Sequence, residues 1–167
     1  MQRADQLERT GDPSLPPGTK LPPSQDYVRA VRLAAIIDQH GWPTHDLVGE
    51  QAASAAWLVA QHADFDVAFQ RRALALLEVA AAEGQADPTE AAYLADRVAV
   101  NSGRPQLYGS QVRCLAGAPA PATPLVDPAG VDERRAQAGM DTLAQYYSEL
   151  TLMCSDEAAE GVTTGGG

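Results

Sequence analysis

The segment W-L-V-A-Q-H-A-D-F-D-V-A-F-Q, Trp57 to Gln70, decides how the rest of the chain is read. Its first half is apolar and alanine-rich at helical spacing, and its second half restarts that spacing after a polar break at His62-Ala63-Asp64. Two helices meeting at a polar corner are therefore expected, one over 46–62 and one over 65–83. Either Asp64 or Asp66 can cap the second. The inward residues are expected to be Ala52, Ala55, Ala56, Val59 and Ala60, then Phe69, Ala73, Leu76, Leu77 and Ala80. Small residues on the first of these faces let neighbouring helices approach closely, which makes it a central helix.

Working outward, S-Q-D-Y-V-R-A-V-R-L-A-A-I-I-D-Q-H predicts a helix over 24–40, with Val28, Val31, Ala35 and Ile36 at helical spacing. Gly41 and Pro43 stop it. D-P-T-E at 87–90 is a helix start, with Asp87 as cap, Pro88 in the first turn and Glu90 completing a capping box. That helix is expected to reach Val100. From Leu107 to Val126 the helical period is lost, and Pro119, Pro121 and Pro124 limit regular pairing to a short hairpin or flap. Helices are expected again from Asp127-Pro128 to Ala138 and from an Asp141 cap to Leu152. The fold class is thus mainly α, a single bundle of about six helices with one short β-hairpin or flap near residues 107–126. It forms one helical domain over 1–154, with a Pro-rich connector at 10–23. Residues 155–167 read as a disordered tail.

At 167 residues the chain can bury a real core, and only 5% of it is aromatic, so that core is built from Ala, Leu and Val. The net charge of −10 argues against nucleic acid and against an anionic membrane surface as partner. No apolar run approaches the roughly 18 residues of a membrane span. The two cysteines, Cys114 and Cys154, form no metal or disulfide signature, so free thiols in a reducing compartment are expected. Residues 1–9 show no apolar signal core, and a cytoplasmic location follows.

Polar residues stand beside apolar surface at His62, Asp64, Gln70, Asp96, Arg97, Gln106, Tyr108 and Gln111, and are read as one polar pocket. His62 interrupts a strongly apolar helix; it is either a hydrogen-bonded core residue or a general acid/base. Asp64 or Asp66 could tune it, and Asp96 could accept a proton or orient Arg97. Arg97 suits a carboxylate or phosphate, or simply a helix C-terminus. Gln70, Gln106, Tyr108 and Gln111 either bind substrate or staple a loop by side-chain hydrogen bonds. His62, Asp64 and Asp96 lack H-E-x-x-H or C-x-x-C company, so no metal is expected. No nucleophile elbow, phosphate loop or dinucleotide fingerprint is present, and no cofactor is called for.

The motifs Asp5-Gln6-x-x-Arg9, Gly41-Trp42-Pro43, Val48-Gly49, Gln61-His62-x-Asp64 with Gln70, Asp96-Arg97, Gln106-x-Tyr108-Gly109-Ser110-Gln111 and Asp132-x-Arg134-Arg135 with Gly139 together resemble a widespread, uncharacterised bacterial family. The resemblance implies that these residues act as a group and implies no reaction. The leading expectation is a small cofactor-free enzyme doing acid/base chemistry (hydrolysis, elimination or cyclisation) on a polar small molecule or peptide. His62, Asp64 and Asp96 would be catalytic; Gln70, Arg97, Gln106, Tyr108 and Gln111 would bind substrate. The alternatives are a non-catalytic ligand- or partner-binding module using the same pocket, and a purely structural polar network.

Overall fold

A glycine splits the helix expected over 46–62. Gly49 has φ 80° and ψ 156°, a region open essentially to glycine alone. It separates α2 (His45–Val48) from α3 (Glu50–Gln61). The computed structural model describes the backbone of residues 24–163 and the side chains of 25–155; the expected N-terminal turns, the 10–23 connector and the Asp5-Gln6-Arg9 motif lie outside the described residues. Within these bounds the protein is mainly helical, with seven helices and one antiparallel hairpin. α1 is Ser24–His40, α4 is Val67–Ala82 and α5 is Pro88–Asn101; β1 is Val112–Leu115 and β2 is Ala118–Pro121; α6 is Val131–Gln137 and α7 is Leu143–Thr163. The chain divides into two compact units, Met1–Leu94 and Ala95–Gly167.

In the first unit α3 is central: Ala53, Ala55, Ala56, Leu58, Val59, Ala60 and Gln61 are all buried. Ala52, expected inward, is exposed. α4 buries Phe69, Gln70, Ala73, Leu77 and Ala80. α1 buries Ala30, Leu33 and Ile37. The face expected there, Val28 and Val31, is exposed, with Tyr27 against Phe65 at 5.6 Å between ring centroids. Both stripes have helical spacing, and the one carrying Leu33 and Ile37 buries the longer aliphatic chains. Trp42 is core. Asp66 caps α4, accepting from the Phe69 N–H at 2.9 Å. Asp87 accepts from the Thr89 N–H at 2.8 Å at the start of α5. Glu90 leaves that cap and bonds Ser54 instead.

In the second unit β1 and β2 pair in the register Val112↔Pro121, Cys114↔Pro119. Prolines are tolerated because each strand of a two-stranded ribbon has a free edge. Ala116 and Gly117 turn the hairpin with φ 50° and 78°, the sign a two-residue turn of this hand demands. α7 starts on a capping box, with Thr142 N–H and Oγ bonded to Gln145 Oε1 and the Gln145 N–H returning to Thr142 Oγ. The cap is therefore one residue later than Asp141. The helix also runs past the expected stop at Leu152 to Thr163, so residues 155–163, expected to be disordered, are helical. The run of Met, Glu and Ala after Leu152 favours that continuation.

The cysteines correct the free-thiol expectation. Cys114 of β1 and Cys154 of α7 are joined in a disulfide, with Cα atoms 5.2 Å apart. Two cysteines separated by 40 residues carry no framework pattern, so only the packing of α7 on the hairpin reveals the pair.

Candidate functional site

In the first unit the polar corner between α3 and α4 holds His62, Asp64 and Gln70. His62 is half-buried and forms the C-cap of α3, its N–H donating to Leu58 O at 3.2 Å. Gln70 is completely buried. Its Nε2 donates to Ala60 O at 3.2 Å, Gln61 O at 3.3 Å and Asp64 Oδ1 at 3.2 Å. The two carbonyls belong to the last turn of α3, where they have no partner within the helix. Gln70 thus closes one helix from within the next and at the same time fixes the Asp64 carboxylate, which is otherwise exposed. Asp66 performs the capping, so Asp64 is spared for other work.

Two residues at this corner escaped the sequence reading. Gln61 is 4% exposed, yet its Oε1 has no hydrogen-bond partner among the described residues; nor has Nε1 of half-buried Trp57, one turn earlier. The Trp57 ring meets Tyr93 edge-on, at 6.4 Å and 71°. The Gln61-His62-x-Asp64 motif is the sequence signal for Gln61.

The second unit gathers Asp96, Gln106, Tyr108 and Gln111 around the loop 106–111. Asp96 is fully buried. Its carboxylate accepts from the backbone N–H of Leu107 at 2.8 Å, Tyr108 at 3.1 Å and Ser110 at 2.8 Å. The loop's carbonyls are held from the other side. Arg134 Nε donates to Leu107 O at 2.8 Å, Arg135 to Tyr108 O at 2.8 Å, and Tyr146 Oη to Ser110 O at 2.9 Å. Arg135 also lies 5.0 Å over the Tyr146 ring. Gln106, fully buried, accepts from the Gln111 N–H at 2.9 Å and donates to Gln111 O at 3.0 Å and Thr123 O at 3.2 Å. Gln111 Nε2 donates to Ser110 Oγ at 3.1 Å. Arg97, half-buried, follows Asp96 on α5. Arg135 and Tyr146 were not among the expected site residues: Arg135, quoted only within the Asp132-x-Arg134-Arg135 motif, sits in a charge-balanced hydrophilic heptapeptide, yet it is 1% exposed.

The first unit carries one more polar feature outside these groups, a cleft of about 620 Å³ lined in part by His45, Glu50, Asp87 and Glu90. Burial pushes the Glu90 carboxyl above its ordinary value of 4.5 and Asp87 adds to the rise, while the Ser54 hydrogen bond and His45 oppose it. Among the described residues, no group of three or more His, Cys, Asp or Glu is placed to hold a metal ion, and no helix is long and apolar enough to cross a membrane.

Fold and polar groups together define a mainly helical protein in which one unit is closed by a buried amide and the other by a buried carboxylate. The model of a family of unknown function, DUF6624, matches residues 19–155, and the chain belongs to that family. No curated protein and no solved structure matches it.

Proposed function

We propose that this chain is a small cofactor-free enzyme using acid/base chemistry on a polar small molecule or peptide, with His62 carrying the proton. The observation that supports it is the corner after α3: a half-buried imidazole lies two residues before a carboxylate whose position is fixed by Gln70. Imidazole titrates in the neutral range, and a positioned acid/base contributes about 10²–10⁴-fold in rate. Hydrolysis, elimination and cyclisation all use such a group. Within this reading Asp64 assists His62 and Gln70 acts as a positioning group, because its hydrogen bonds are made within the first unit; in the second unit Asp96, Gln106 and Gln111 position the loop 106–111 by hydrogen bonds of their own.

A second reading, a ligand-binding module without catalysis, is favoured by the unpaired Trp57 and Gln61 atoms. The compartment proposed with either reading is an oxidising one. The Cys114–Cys154 bond removes the free-thiol argument for the cytoplasm, and such bonds persist in oxidising surroundings.

The deciding experiment compares wild type with His62→Asn on a panel of small esters, amides, lactones and short peptides, with thermal melting in parallel. The catalytic reading expects turnover to fall by about 10²-fold or more at a retained melting temperature. Equal turnover per folded molecule would remove His62 from the chemistry, and a wild type inert to the whole panel would shift the assignment to binding.

A further inference from the structure

We draw no further inference here: the strongest candidate, the first unit's cleft of about 620 Å³ lined in part by His45, Glu50, Asp87 and Glu90, is a cluster of carboxylates at the start of α5 beside which nothing among the described residues points to a ligand.

Discussion

Glu90 shows how much a single environment can alter a residue. Burial raises its carboxyl pKa, so the folded state prefers the protonated form more than the unfolded chain does. The stabilisation tied to that proton is fully present below the unfolded value of 4.5 and is lost as pH rises through the folded pKa. Glu90→Gln, which keeps a partner for Ser54, should therefore melt at or above wild type at pH 7 and lose that advantage on acidification below 4.5; melting curves across this range read it directly. Asp96 is the opposite case, a buried carboxylate whose oxygens are all engaged by loop amides. Asp96→Ala strands those donors and should cost on the order of 3 kcal/mol or more in denaturant unfolding. Gly109, at φ 66°, has no room for a side chain: a Cβ there would come within 2.9 Å of Leu143 Cδ1. Gly109→Ala should therefore destabilise through both backbone and packing, and restoration of stability by a smaller residue at 143 would separate the two. These three positions differ in legibility. Gly109 reads as a turn glycine from its neighbours Tyr108 and Ser110, whereas the burial of Asp96 and Glu90 depends on what packs over them.

At the scale of the element, several starts and stops were read correctly from local chemistry. The start of α5 at Pro88, the stop of α1 at Gly41 and the hairpin within 107–126 all follow from residues adjacent in sequence. Some errors were local signals passed over, such as Gly49 inside the expected 46–62 helix and the Thr142–Gln145 capping box; others were choices between local options that only packing decides. α1 carries two apolar stripes, and burial selects Ala30, Leu33 and Ile37 over Val28 and Val31. Asp64 and Asp66 can each cap α4, and Asp66 does so. That Gln70 and Gln106 are staples was not legible, because their partners are chiefly backbone carbonyls, which leave no mark in the sequence. Two element-scale outcomes are expected. Asp66→Ala removes the α4 cap and should cost about 1 kcal/mol in denaturant unfolding. At the hairpin, Ala116 has φ 50°, which a residue with a Cβ adopts at a cost and which Asn tolerates far better before glycine. Ala116→Asn should therefore raise the unfolding midpoint; a fall would show that the Ala116 methyl has a packing role.

For the molecule as a whole, the feature least visible in the sequence is the covalent one. The bond between Cys114 and Cys154 closes a loop of 40 residues that contains the hairpin turn, α6 and the start of α7. Removing it frees the unfolded chain, and the loop-closure estimate for that length is about 4 kcal/mol. For a protein of this size that corresponds to a melting temperature lower by roughly 10 °C. Cys114→Ser/Cys154→Ser should show a loss of this order, and wild type in excess reductant should match it. Two truncations localise the effect. A chain ending at Ser155 keeps Cys154 and the full span of the family match, and should melt within about 2 °C of the full chain, below the shift expected from 1 kcal/mol. A chain ending at Met153 should fall as far as the double serine variant. If both truncations lose stability equally, α7 beyond Ser155 docks in its own right. If neither does, the bond contributes little to the native fold. Alkylation of protein taken directly from the cells that make it, before any reduction, then decides the compartment: two blocked thiols support the oxidising location, and two reactive ones return the chain to a reducing one.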